Sequence, residues 1–199
     1  MGGDITAWLQ LVTINYLWRK PTMNKTTKTI LFIVHSAVIA ALYVVLTMIA
    51  AGFDLASGAI QVRFSECLTV LPFFTPAGIP GVTIGCFLAN IITGGALPDI
   101  IFGTLATFIG SLGTYYLRKH RFFCTIPPVV ANAIIIPFIL KYAYALDGAL
   151  WFFALTVGAG EIISCVLFGQ VLMTALMPVR HRIFGNDSEA VRKADKIRL

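Results

Sequence analysis

The placement of positive charge against long apolar runs constrains this chain more than any other feature. Apolar runs begin near Ile30, Ala77, Ile100, Ile126 and Trp151, with a shorter one from Cys67 to Phe74. Arg19, Lys20, Lys25 and Lys28 precede the first run, and Arg118, Lys119 and Arg121 lie between the runs at Ile100 and Ile126. Arg180, Arg182, Arg192, Lys193, Lys196 and Arg198 follow the last. A chain threaded six times through a bilayer thus carries thirteen of its fifteen basic residues on one side, with only Arg63 and Lys141 elsewhere. Cytoplasmic loops are the ones that collect Lys and Arg. The expected fold is an all-α integral membrane protein, a six-helix bundle with both termini cytoplasmic.

Composition agrees with a single helical membrane domain: 58% of the residues are hydrophobic and the mean hydropathy is +0.86. The net charge of +6 does not signal nucleic-acid binding. Between Ile30 and Met177 five basic residues balance five acidic ones, so the excess sits in the tails, beside anionic lipid. Cys67, Cys86, Cys124 and Cys165 are scattered through apolar sequence with no CxxC, and are read as small buried hydrophobes. No metal or cofactor is expected. Residues 1–22 form an extension whose Trp8–Trp18 stretch is too short to span. Residues 23–180 form the membrane domain and 181–199 a basic cytoplasmic tail.

The first span is expected over Thr29–Ala51, followed by an external turn from Gly52 to Gly58 that contains Asp54. Ile60 to Phe74 opens with Arg63 and Glu66 and meets Pro72, while the next segment, Gly78 to Thr93, is short and carries Gly81 and Gly85. Short, proline-interrupted segments commonly bend around a cavity. Together these two supply about 30 residues, enough for two tilted short crossings at about 1.5 Å per residue. A re-entrant hairpin leaves four crossings and the same termini, so the charge pattern does not separate the two topologies. Ile100–Leu117, Ile126–Tyr144 and Leu150–Met177 complete the expected set.

Ionisable groups at membrane depth are costly and mark function. With the N-terminus inside, Arg63, Glu66, Asn90, Asp99, Asp147 and Glu161 fall in the outer half of the bundle, from several different segments. The inner half holds little beyond Gln170 and Asn132. A pocket open to the outside has this distribution; a proton relay or pore needs polar groups through the whole depth. Candidate solute-binding residues are therefore Arg63, Glu66, Asn90, Asp99 and Glu161, with Trp151 as a ring to cover a flat ligand. Each has a structural alternative. Glu66 could pair with Arg63 at i,i+3, Glu161 could meet a partner across helices, and Asn90 could cross-link helices. Asp99 could answer a helix dipole, and Trp151 could belong to an interfacial belt. Ala37 and Ala41, four residues apart, offer a face that another helix can approach closely. No GxxxxGK[ST] is present, so any ATP hydrolysis belongs to partners.

The run Arg63-Phe-Ser-Glu66-Cys-Leu-Thr-Val-Leu-Pro72-Phe-Phe-Thr-Pro76 resembles the QueT family, substrate-binding S components of energy-coupling factor (ECF) transporters. The likeness continues through Ile79–Asn90, Asp99–Gly103, Arg118-Lys119, Pro127-Pro128-Val, Asn132-Ala and Gly160-Glu161, covering about Lys25 to Arg182. The resemblance implies a bundle of six helices in the bacterial cytoplasmic membrane. It implies an ECF transmembrane scaffold subunit and two ATPase subunits as partners, with Ala37 and Ala41 at the scaffold interface. The implied substrate is a small heterocycle, a queuosine precursor such as the 7-deazaguanines preQ1 or preQ0, and the chain itself catalyses no covalent reaction. For such an edge, Glu66 or Glu161 would accept N–H groups while Arg63 or Asn90 donates to the carbonyl. The rivals are a stand-alone carrier for another heterocycle, a membrane enzyme using Glu66, Asp99 or Glu161, and an assembly scaffold.

Overall fold

A computed structural model describes residues 24–53 and 63–184. The turn expected from Gly52 to Gly58 falls largely outside them, as do the first 22 residues and most of the basic tail. All regular structure among the described residues is helical. The chain forms two units, residues 1–31 and 32–199. In the first, Asn24 starts helix α1 (Lys25–Gly52) by accepting the Thr27 N–H on its side-chain oxygen at 3.2 Å, as an N-cap does.

Within the second unit α1 continues to Gly52 and is followed by a 3-10 helix, Phe64–Phe73, and by α2, Gly78–Ile92. A π segment, Asp99–Gly103, runs into α3 (Thr104–Tyr116), and a 3-10 turn, Phe123–Thr125, runs into α4 (Ile126–Tyr142). Helix α5 (Leu150–Glu161) passes through a second π segment, Ile162–Phe168, into α6 (Gly169–Leu176) and finally α7 (Arg180–Phe184). Three stretches are long and apolar enough to cross a membrane: Lys25–Gly52, Phe123–Tyr142 and Leu150–Phe184. The last, at 35 residues, is about 50 Å long and exceeds the hydrocarbon core of about 30 Å.

The segment expected to be short and interrupted is the most buried element. Eight of the ten residues of Phe64–Phe73 are buried, and Val70, Phe73 and Phe74 are almost fully enclosed. Pro72 has no N–H and its ring opposes the carbonyl four residues back, so an α-helical turn cannot close at the end of this segment. Gly78 then lets the chain double back, because a Cβ there would sit 2.6 Å from the Pro72 nitrogen.

Glycines set the remaining contacts. A Cβ on Gly81 would lie 2.8 Å from Ile39 Cβ, and one on Gly85 would lie 2.6 Å from Tyr43 Cβ and 3.0 Å from the Ala40 carbonyl. Helix α2 therefore presses its Gly81-x-x-x-Gly85 face directly on α1. Gly110 and Gly113 of α3 meet Pro128 and Pro127 of α4 in the same way, and Gly169 meets Val70. The small residues Gly110 and Gly113 of α3 thus serve packing inside the chain.

Candidate functional site

Helix α2 ends in a Schellman turn that shapes one wall of a cavity. Gly94 takes φ +73°, its N–H bonds the Ile91 carbonyl at 3.1 Å, and the Gly95 N–H bonds the Asn90 carbonyl at 2.8 Å. This caps the helix and leaves the Asn90 side chain free to donate to the Asp99 carbonyl at 3.3 Å. Asp99 itself opens the first π segment, and irregular helical turns of this kind recur at functional sites.

The cavity has a volume of about 480 Å³. Its polar wall comprises Arg63, Asn90, Asp99, Tyr43, Thr47, Ser65 and Tyr144, with the Gly94–Gly95 turn beside them. Ile139, Leu140 and Leu146 supply apolar surface opposite to the charges in character. Arg63 Nη2 lies 3.9 Å from Asp99 Oδ2, and the same oxygen accepts the Tyr144 hydroxyl at 3.0 Å. The Tyr144 oxygen in turn accepts the Ala96 N–H at 3.1 Å. A phenol is protonated at neutral pH in any case, so the Tyr144 hydroxyl is a donor to Asp99, and partial burial pushes it above the ordinary phenol range. The second Asp99 oxygen, Oδ1, is buried and has no hydrogen-bond partner. It is an acceptor left unsatisfied inside the protein, on the side of Gly103, where an added Cβ would lie 2.8 Å from it.

Of the residues the sequence singled out, Arg63, Asn90 and Asp99 line this cavity together. Glu66 and Glu161 are buried next to one another outside its lining, at 1% and 4% exposure. One side-chain oxygen of each, with the Cys165 sulfur, forms a group whose members all lie within 4.8 Å. The Tyr43 hydroxyl donates to Glu66 Oε1, and the Cys165 thiol donates to Glu161 Oε2 at 3.2 Å. Arg63 does not pair with Glu66, because it sits before the 3-10 helix in extended backbone and turns to Asp99 instead. Asp99 is the acidic residue in the first turn of the π segment, the position its helix-dipole reading requires, and it lines the cavity as well. Trp151 stands apart: its side chain is 67% exposed and packs edge-on against Phe152, away from the cavity lining. Ala37 and Ala41 are both exposed on α1.

The two tyrosines escaped the sequence reading. Tyr43 was signalled only by a lone phenol in a long apolar helix, where a buried hydroxyl needs a partner. Tyr144 lies in the turn after α4, and no local pattern ties it to a residue 45 positions away.

A chain whose described residues are helical, with three membrane-length apolar helices and a polar cavity among them, is an integral membrane protein. Residues 33–178 match the QueT transporter family, and the chain belongs to it. The family is one of transporters rather than of enzymes. The chain is also 42% identical over 90 residues to the "Queuosine precursor transporter QueT" of Lactococcus lactis subsp. cremoris (strain MG1363). That stretch is 45% of this chain and 53% of the relative, so the chain matches about half the relative's length. No solved structure matches.

Proposed function

We propose that the chain is the substrate-capture component of an ATP-driven importer of the ECF type, and that it binds a 7-deazaguanine queuosine precursor from outside. The observation that carries this reading is the convergence of Arg63, Asn90 and Asp99 on one cavity in a member of a transporter family. A guanine-like edge presents adjacent N–H donors beside a carbonyl. Asp99 accepts an N–H, and Arg63 or Asn90 donates to the carbonyl. Ile139 and Leu140 cover the ring. The volume of about 480 Å³ is of the size that small-molecule sites have.

The chain crosses the membrane six times in this reading, with the 3-10 helix and α2 as the two short crossings and both termini in the cytoplasm. The charge distribution supports it, since the described loop with Arg118, Lys119 and Arg121 then shares a side with Arg180 and Arg182. A transmembrane scaffold subunit docks on the face of α1 that carries Ala37 and Ala41, and two ATPase subunits drive release inward.

The test is binding of preQ1, preQ0, queuine and guanine to the purified chain in nanodiscs, beside uptake in cells with and without the ATPase subunits. Selective deazaguanine binding that survives loss of the ATPases, with uptake abolished, is the expected result. Uptake that continues without them makes the chain a stand-alone carrier. A well-folded chain that binds none of the four compounds overturns the reading.

A further inference from the structure

Behind Tyr43 lies a second polar group that the cavity does not include. Glu66 comes from the 3-10 helix and Glu161 from the end of α5, and their oxygens lie within 4.8 Å of each other and of Cys165 Sγ. Neither carboxylate has a Lys, Arg or His within ion-pair distance among the described residues; Arg63 is engaged with Asp99. Two carboxylates this deep could both be ionised only at a large electrostatic cost, so in the empty protein they hold protons. A separate observation points to a missing ligand. Glu66 Oε2 is enclosed and has no hydrogen-bond partner, and the Ser164 hydroxyl, three residues beyond Glu161, is enclosed and unpartnered as well.

Of the ligands that could replace those protons, a metal ion and an organic ammonium, the local chemistry favours the second. A metal ion would use Cys165 as its third ligand, but that thiol is engaged. It donates to Glu161 Oε2, approaches the Glu66 carbonyl at 3.6 Å and accepts from Thr69 Oγ1 at 3.6 Å. Metal binding would have to remove its proton and break these contacts. An ammonium brings three N–H donors and needs only acceptors, of which Glu66 Oε2 is the open one. Tyr43 lines the cavity with its side chain while its hydroxyl holds Glu66 Oε1, so this one residue stands between the cavity and the buried carboxyls.

We propose that Glu66 and Glu161 form an inner receptor for a primary ammonium on the transported solute, reached from the cavity when the Tyr43 hydroxyl releases Glu66. The solute's ring stays against Arg63, Asn90 and Asp99 in the cavity. The inference rests on the proposed function, and it adds which end of the solute is charged and which residues select it.

The experiment compares preQ1, which carries an aminomethyl group, with preQ0, which carries an uncharged nitrile, on the full chain in nanodiscs. Binding is measured calorimetrically in the presence of EDTA. Wild type is expected to bind preQ1 at least about tenfold more tightly than preQ0. Glu66→Gln and Glu161→Gln are expected to erase that preference by weakening preQ1, with preQ0 affinity held within about threefold. Equal affinity of wild type for the two compounds overturns the inference while leaving the proposed function intact, and this comparison needs no variant to fold. A preference that persists in both folded variants overturns it too. Binding of preQ1 that vanishes in EDTA and returns with added zinc makes the cluster a metal site and likewise overturns it. Binding of neither compound removes the proposed function and this inference with it.

Discussion

At the scale of single residues, two phenols hold two carboxylates, and their different burial separates what each does. Tyr43 is 2% exposed and donates to Glu66 Oε1. Tyr43→Phe leaves that oxygen without a donor where water does not reach, and should lower stability by about 1–3 kcal/mol. Tyr144 is 40% exposed, so water replaces its hydroxyl when Tyr144→Phe removes it. That variant should lose about 1 kcal/mol or less in stability and weaken deazaguanine binding by loosening Asp99. Thermal unfolding in detergent beside calorimetric binding separates the pair: Tyr43→Phe melts lower, Tyr144→Phe binds more weakly. The pH response of Tyr144 follows from the direction of its shift. Its folded-state value is raised, so its stabilisation is complete at neutral pH and is lost as pH rises from the ordinary phenol value of about 10. Alkaline unfolding of wild type and Tyr144→Phe should therefore converge at high pH. The charged residues of the site were legible because few occur in apolar sequence. The tyrosines were not, since a phenol is at home in apolar surroundings and its partner is fixed only by the fold.

At the scale of elements, the contact between α1 and α2 sets the position of Tyr43, which stands between the cavity and Glu66. Gly85 faces the Cβ of Tyr43 and the Ala40 carbonyl. Neither is the far end of a flexible side chain, so Gly85→Ala forces the helices apart. We expect a loss of about 1–3 kcal/mol together with weaker ligand binding. Gly158→Ala is the control, because its added Cβ meets only Ala133 Cβ at 3.8 Å. It should be neutral or stabilise by up to about 1 kcal/mol through helix propensity. Melting temperatures of the two variants side by side check both statements. Element positions were legible to within a few residues: Thr29–Ala51 is contained in Lys25–Gly52, and Gly78–Thr93 nearly coincides with Gly78–Ile92. Runs of apolar residues bounded by charges and prolines fix such limits. The 3-10 form of Phe64–Phe73 and the π segments beside Asp99 and Glu161 were not legible. They depend on how a turn settles against its neighbours, which hydropathy does not record.

At the scale of the whole molecule, the outward surface meets lipid and, in the proposed assembly, a partner subunit as well. Val34, Val38, Leu42 and Val45 of α1 are each about half exposed, as suits a helix in hydrocarbon, where apolar exposure carries no penalty. Apolarity alone therefore does not distinguish a docking face here. Residue size does: Ala37 and Ala41 are exposed one turn apart, and they leave a shallow strip on which another backbone can close. Tyr43 belongs to the same helix but turns inward, to the cavity and Glu66. A solute that displaces the Tyr43 hydroxyl thus acts on the element that presents the strip. Ala41→Phe fills the strip without touching the cavity lining. It should retain deazaguanine affinity within about threefold of wild type while abolishing uptake in cells that contain the ATPase subunits. Co-purification of the scaffold subunit with the tagged chain should fall in parallel. Uptake at the wild-type rate by Ala41→Phe would move the docking surface off this face of α1, and equal loss of binding and uptake would mean that the strip shapes the cavity instead of a partner contact.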